Sequence, residues 1–481
     1  MDHLSGLDAA FLHLESPETP MHVGGLCILE LPPEHTGNFI DDVRQHIQNR
    51  MHLAPIFQRK LVNMPFDIAN PIWVIDEDLD IDYHLRHVIV PPPATRVSVD
   101  RLVSRLHSML LDRSRPLWEM YVLDGLPVPA SAPKGTRYVG LYSKMHHASL
   151  DGMGGQVLMQ AIMDVTPIPR KEKKPTRKKS ADNPDNYGIA ELTASGARHN
   201  ISQTIKLAKN LPKLAVKALE ILKPPKGDKE TGVERMNWFA PKTPLNVTIT
   251  NQRSFARFST PLDETKSIAK INKVSLNDVV MAISAAGLNR YLDSVDCHPT
   301  EPLLAAIPIS LRPEGNTDMS NQVSMARMSL ATNIKDPIER LKAINASALG
   351  VKNYVSDIKA ILPTDFPSVG APWLMSSVAA ILTRARVANS IPPFANVVIS
   401  NVPGPNITLY FAGAKQISTY PVSIPYHGMG LNITLQSYNG WLDFGVIACH
   451  KLMPNITELA GYMEDAHKEL LKLSLEIQAA S

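Results

Sequence analysis

The stretch "YVGLYSKMHHASLDGMGGQVLMQAIMDV", residues 138–165, changes its hydrophobic period halfway along. From Tyr138 to Met145 the side chains alternate as in a strand. Beyond Asp151-Gly152, Val157, Leu158, Ile162 and Val165 recur near helical spacing. The junction carries two adjacent histidines, His146 and His147, followed by Asp151 and Gly152. A strand-to-helix turn of this kind presents a side chain rigidly at the end of a sheet.

Three chemistries compete for the two histidines. Zinc needs three or four ligands in workable geometry, but adjacent histidines project differently, and no H-E-x-x-H or cysteine cluster completes a set. An acyl-serine needs a nucleophile elbow, but Ser143 and Ser149 lie in no G-x-S-x-G pattern. A general base asks for less: one histidine held in one tautomer, able to take a proton from a hydroxyl or amine. An isolated H-x-x-x-D recurs by chance and a lone histidine is usually structural. The doubled histidine, Gly152 and the strand-to-helix setting add weight to the base. In a tight loop the Asp151 carboxylate folds back to fix the turn, and Gly152 allows backbone angles that a side chain forbids.

Working outward, "VGGLCILE" (Val23–Glu30) reads as a buried strand and Asp41–Arg50 as a helix. Past Pro167 the chain turns polar, with seven basic residues against one glutamate before Ser180. This run is a solvated tether or a patch drawn to an anionic membrane surface. From Ile201 to Lys223, Lys206, Lys209, Lys213 and Lys217 share one helical face opposite Leu207, Leu211, Leu214 and Leu222, with a break near Pro212. The apolar stripe suits packing on the protein's own body or contact with a lipid interface. Beyond Trp238 come strand-like "SFARFS", a helix over Leu276–Leu292, apolar "LLAAIPISL", strand-like "NVVISNVPG" and a last helix from Ile456. Strands and helices alternate on both sides of the basic segment, so the expected class is α/β in two halves. The expected division is 1–166, a linker at 167–237, and 238–481.

At 481 residues the chain exceeds what one core usually supports. With 44% hydrophobic and 20% charged residues it has a globular composition. A net charge of +3 speaks against a surface built for nucleic acid. The N-terminus lacks the features of a secretory signal, and the most apolar window, Ala371–Leu382 ("APWLMSSVAAIL"), is too short to cross a bilayer. Core packing is its plainer reading, with an acyl-chain tunnel wall as the sharper one. Cys27, Cys297 and Cys449 form no C-x-x-C pair, which suits a reducing cytoplasm.

Several blocks together resemble the bacterial wax ester synthase/acyl-CoA:diacylglycerol acyltransferases of the HHxxxDG superfamily. These blocks are "LSGLDAAFLHLESPETPMHVGGL" from Leu4, "SRPLWEMYVLDGL" from Ser114, "HHASLDG" itself, "PLNVTITNQRSFA" from Pro244 and "LNDVVMAISAAGLNRYL" from Leu276. "IPISLRP" from Ile307, "NVVISNVPGP" from Asn396 and "YHGMGLNIT" from Tyr426 extend the likeness over nearly the whole chain except the basic linker.

The resemblance implies two chloramphenicol-acetyltransferase-like domains, each a mixed β-sheet flanked by helices, with the histidine at their interface. It implies an acyl-CoA co-substrate and a diacylglycerol or long-chain fatty alcohol acceptor, with no metal, no prosthetic group and no acyl-enzyme. His147 would be the general base, with His146 and Gly152 supporting the motif. Asp151 would brace the loop by pairing with Arg59, or with Arg312 in "SLRP".

Trp118 and Asn277 are candidate substrate contacts. Their plainer readings are a core anchor with a satisfied indole N–H and part of a helix start. Donors to the oxyanion stay open between backbone N–H groups of Gly152–Gly155 and the Asn277 side chain. A cytoplasmic enzyme is expected from the cysteine usage, with the basic segment as its means of peripheral contact with the inner membrane or lipid inclusions.

Three rivals remain at this point. A glycerol-phosphate-type acyltransferase would need a downstream phosphate-gripping block of glycine and arginine, which the sequence lacks. A carrier-protein-dependent condensation enzyme shares HHxxxDG but not the PLWE block. A non-enzymatic lipid-surface protein would use the lysines and leave the histidine turn structural.

Overall fold

The structure, a computed structural model, describes residues 2–65, 69–149, 152–172, 188, 191, 193–199, 201, 205, 239–297, 299–310, 323–359, 389 and 392–480. Asp151, Arg312, Lys173–Lys179, the lysine face from Lys206 to Lys217 and the window Ala371–Leu382 lie outside the described residues.

In the first half the strands are β1 (Asp2–His3), β2 (His22–Glu30), β3 (Arg59–Val62), β4 (Ile72–Ile75), β5 (Leu85–Ile89), β6 (Trp118–Asp124) and β7 (Tyr138–His146). In the second they are β8 (Arg253–Pro261), β9 (Leu304–Ser310), β10 (Val323–Ser329), β11 (Val397–Val402), β12 (Tyr410–Phe411), β13 (Ala414–Val422), β14 (Leu431–Tyr438) and β15 (Trp441–Cys449). The strand read at Val23–Glu30 begins at His22, and the helix read at Asp41–Arg50 begins two residues earlier, at Phe39.

Two six-stranded mixed sheets result, ordered β12-β13-β2-β7-β6-β5 and β10-β9-β11-β14-β15-β8. The first sheet is not closed within residues 1–166. Its β13 comes from the second half and pairs antiparallel with β2, Lys415 opposite Glu30 and Val422 opposite Gly24, with a bulge between Gln416 and Ser418. Strand β7 lies near the middle of this sheet, antiparallel to β2 on one side and β6 on the other. Its residues are buried on both faces because both faces are covered. On one face, Trp118, Met120, Val122 and Met145 pack with the helices Phe39–Arg50 and Gly152–Ile162. On the other, Leu26, Tyr121 and Tyr142 pack with Val99 and Val103 of the helix Arg96–His107, and with Phe255 and Ile447 of the second sheet.

The second half builds its core around the helix Leu276–Ser294, which is buried nearly all round. The closing helix Ile456–Ala480 lies against it. Where β15 crosses β13, Asp443 accepts the Thr419 N–H (2.8 Å) and the Ser259 hydroxyl (2.6 Å). A Cβ at Gly445 would overlap the carbonyl oxygen of Pro421, so the two sheets approach through a residue without a side chain. Arg257 of β8 reaches across to buried Asp100 (Nε to Oδ1, 2.7 Å).

His107 is a further cross-link. Its Nε2 donates to the Ser423 carbonyl (2.9 Å), which leaves Nδ1 to accept from the Tyr142 hydroxyl (2.7 Å). Burial, then the charge of Arg253, pushes its pKa down to about 3, and burial also holds His22 well below the usual histidine value. Both are neutral when folded and take up a proton near pH 6.5 when unfolded. The unfolded chain therefore binds more protons as pH falls below 6.5, and each group removes ~1.4 kcal/mol of stability per pH unit until its folded pKa is reached. Asp443, raised to about 6 by burial, and Asp100, also raised by burial, act in the opposite sense and offset part of this. Urea unfolding between pH 7 and 5 should accordingly show a shallower pH slope in His107→Gln than in wild type. Parallel slopes in the two proteins would exclude the assignment.

Among the described residues no helix is long and apolar enough to cross a membrane.

Candidate active site

The end of β7 is set by its neighbours. The His146 N–H donates to the Leu117 carbonyl (3.0 Å), and the His147 N–H donates to the Met21 carbonyl (2.8 Å). The chain then turns: Ser149 returns its N–H (3.0 Å) and its hydroxyl (2.9 Å) to the His146 carbonyl, and the helix Gly152–Ile162 begins shortly after. Three main-chain anchors thus fix both histidines before any side chain is considered.

Residues two apart on a strand share a face, so Lys144 and His146 point together. Lys144, fully buried, sits 3.0 Å from Glu119 and donates to the carbonyls of Leu106 and Met109. Glu119 also accepts from Tyr121 and faces Arg86. Burial depresses the lysine pKa, and Glu119 opposes that shift. The cation and carboxylate face each other in register across β6 and β7, which satisfies both in the interior.

His146 is also fully buried. Its Nδ1 accepts the Ala148 N–H (3.1 Å), so the ring proton resides on Nε2. Nε2 lies 3.2 Å from Glu15 Oε2, close enough for the carboxylate charge to act on the ring. Burial raises the Glu15 pKa, but His146, Arg113 and the Met21 N–H together bring it below the ordinary carboxylate value. A ring held in this tautomer has no free lone pair for an incoming substrate.

His147 differs. It is half-buried, and its ring stacks on Phe11 (centroids 4.0 Å apart, planes 12° off parallel). The protein crowded around it pushes its pKa down to about 4; a bond to its own main chain opposes that shift and the neighbouring His146 adds to it. At neutral pH the imidazole is uncharged.

The other residues singled out in the sequence fall as follows. Trp118 is wholly buried in the first-half core; its N–H donates to the Phe57 carbonyl (3.2 Å) and its face stacks on His84 at 4.4 Å. Asn277 is half-buried in the first turn of its helix, but the reciprocal cap is made by Ser275 and Asp278. Gly152 opens the helix after the turn. Arg59 begins β3 in the small sheet β1-β4-β3, and its pairing with Asp151 lies outside the described residues. Among the described residues no group of three or more His, Cys, Asp or Glu is placed to hold a metal ion.

Sequence reasoning missed Glu15, Phe11 and Met21 as parts of the site. All three lie in the opening block "LDAAFLHLESPETPMH", but nothing local marks their contacts, and the Arg113 that holds Glu15 is 98 residues away in the chain.

Two helix-flanked mixed sheets, the first completed by strands from the second half of the chain, with a histidine turn at the end of a central strand, define the acyltransferase and condensation fold. The chain has that fold in common with a trichothecene 15-O-acetyltransferase from Fusarium sporotrichioides (TM-score 0.55, 12% identity, 96% of this chain and 94% of that one). It shares it also with the first condensation domain of the calcium-dependent antibiotic synthetase (TM-score 0.53, 13% identity, 98% and 96%).

Within that class the chain belongs to the wax ester synthase/diacylglycerol acyltransferase family, whose catalytic domain matches residues 4–280 and whose C-terminal domain matches residues 319–471. It is 32% identical to the O-acyltransferase WSD of Acinetobacter baylyi over 97% of this chain and 96% of that protein. A Mycobacterium tuberculosis protein that bears a diacylglycerol O-acyltransferase name is 36% identical over 97% and 99%. The solved wax ester synthase/diacylglycerol acyltransferase of Marinobacter aquaeolei VT8 superposes with a TM-score of 0.67 at 28% identity, covering 98% of this chain and 99% of that one. The chain is an acyltransferase enzyme.

Proposed function

We propose that the enzyme transfers a long-chain acyl group from acyl-CoA to the hydroxyl of diacylglycerol, of a long-chain fatty alcohol, or of both, giving triacylglycerol or wax ester. The names of its relatives support the acceptor classes. The observation that carries the mechanism is the contrast between the two histidines: His146 is locked by Ala148 and Glu15, while His147 is neutral and accessible.

As the acceptor oxygen attacks the thioester carbonyl, His147 takes the hydroxyl proton. The tetrahedral adduct then collapses, the C–S bond breaks, and the imidazolium returns the proton to the departing CoA sulfur. No acyl-enzyme forms, because the acceptor itself is the nucleophile. Asp151 braces the loop with Arg59 in this reading, and Gly152–Gly155 or Asn277 supplies donors to the oxyanion. Neither a metal nor a prosthetic group has a part in it.

The basic run from Lys173 to Lys179 supports peripheral contact with an anionic lipid surface, where both the acceptor and the product reside.

Purified enzyme should release free CoA from palmitoyl-CoA only when a long-chain alcohol or diacylglycerol is supplied, and faster when the acceptor is carried on anionic than on neutral vesicles. Thiol release independent of acceptor would mark a thioesterase and overturn the transfer. Equal rates on the two vesicle types would remove the surface contact alone.

A further inference from the structure

Glu15 follows the first helix, Gly6–Leu14, and its carboxylate is buried although its neighbours in sequence approach the surface. Four donors converge on it. Oε1 accepts two N–H groups of Arg113, at 3.0 and 2.8 Å. Oε2 accepts the Met21 N–H at 2.9 Å and lies 3.2 Å from His146 Nε2.

The Met21 carbonyl, on the other side of the same residue, holds the His147 N–H at 2.8 Å. Phe11, one helical turn before Glu15, supplies the ring that stacks on His147. The same segment is tied to the second half, where Arg253 of β8 donates to the Glu18 carbonyl at 2.6 Å. A single carboxylate therefore meets the side chain of one histidine and, through Met21, the main chain of the other.

We propose that Glu15 is a positioning residue for acyl transfer: its carboxylate holds His146 as the Nε2–H tautomer and fixes the main chain from which His147 projects. The role rests on His147 being the base. With Nε2 protonated, Nδ1 remains an acceptor for Ala148, and the turn behind β7 keeps its shape. Were the proton to move to Nδ1, two donors would face each other across 3.1 Å and the turn would open. His147 stands at the hinge of that movement, so its imidazole would be displaced from the acceptor hydroxyl.

Glutamine at this position keeps the length but replaces one oxygen with an NH₂ group. Whichever way the amide turns, a donor then confronts either the Arg113 fork or the Met21 and His146 N–H groups.

The test is Glu15→Gln in the full-length enzyme, read in two ways. For kcat the expected change is a fall of about 100-fold with KM little changed, the cost of a displaced reacting group. In protein labelled with ¹⁵N-histidine, the His146 ring, identified by its absence in His146→Gln, should change from one protonated Nε2 and one unprotonated Nδ1 to a mixture of tautomers. A wild-type ring signature together with an unchanged kcat would overturn the role.

If Glu15→Gln does not fold, Arg113→Gln serves instead, because that side chain is 44% exposed and its loss frees one carboxylate oxygen. The same two changes are expected at smaller size, and their absence counts against the proposal in the same way. Failure of the base reading looks different. His147→Ala would stay active while the His146 signature still depended on Glu15.

Discussion

Alanine in place of His147 is expected to lower acceptor-dependent CoA release by about 10²- to 10⁴-fold, the usual contribution of a positioned general base. The loss should appear in kcat with little change in KM, because the imidazole acts in the transition state more than in ground-state binding. Folding should survive the change. His147 is half-buried, and its main-chain bond to Met21 does not depend on the side chain.

The pH dependence gives a second reading. A base works only when unprotonated, and burial lowers the His147 pKa to about 4. In the free enzyme kcat/KM should therefore rise through about pH 4 and stay level on the acid side of neutrality, where an ordinary histidine would still be losing activity. The trade is a weaker base in the resting enzyme, since proton affinity falls with pKa. Thiol release unaffected by His147→Ala would sink the mechanism, whereas an acid limb centred near 6.5 would show that burial does not depress the pKa of this histidine.

The second large effect lies away from the site. Gly445→Ala places a methyl group against the carbonyl of Pro421, where β15 crosses β13. The obstacle is main chain, so no side chain can swing aside, and one strand must shift. A loss of about 3 kcal/mol is expected, at the upper end of what overpacking costs. The bonds that Asp443 makes to Thr419 and Ser259 sit two residues away and would be disturbed with it.

Gly461→Ala is the matched control. It lies exposed in the closing helix with nothing within 4 Å of an added Cβ, and should be neutral or stabilising by up to ~1 kcal/mol. Similar urea midpoints for the two variants would show that the crossing is looser than the structure has it.

The change of period across Tyr138–Val165 placed the strand, the turn and the helix with little error, because burial of alternate or helically spaced side chains is a local property of sequence. The strands beginning at His22 and Arg253 and the helix beginning at Leu276 were legible for the same reason. The exchange of β13 was not. Lys415 opposite Glu30 is a pairing that no local pattern announces.

At the site, the two histidines could be told apart only through resemblance, since the spacing H-x-x-x-D treats a lock and a base alike. What separates them physically includes Glu15, whose partners Arg113 and His146 are distant in the chain. Asn277 illustrates the reverse limit. Its reading as part of a helix start was right in place, but the cap is made by Ser275 and Asp278, because a side chain bonds to free N–H groups only from specific positions in the first turn.

The completion of the first sheet by β13 also sets a timetable. As the chain leaves the ribosome, β2 emerges early and its outer edge finds no partner until residues 414–422 have been made. At roughly 5–20 residues per second that interval is on the order of tens of seconds. Throughout it the nascent protein carries an unpaired edge beside the strand that will bear the histidine turn. Acyl transfer can begin only after most of the chain has been synthesised, and anything that shields β2 in the meantime, a chaperone or a lipid surface, would act on the yield of enzyme rather than on its chemistry.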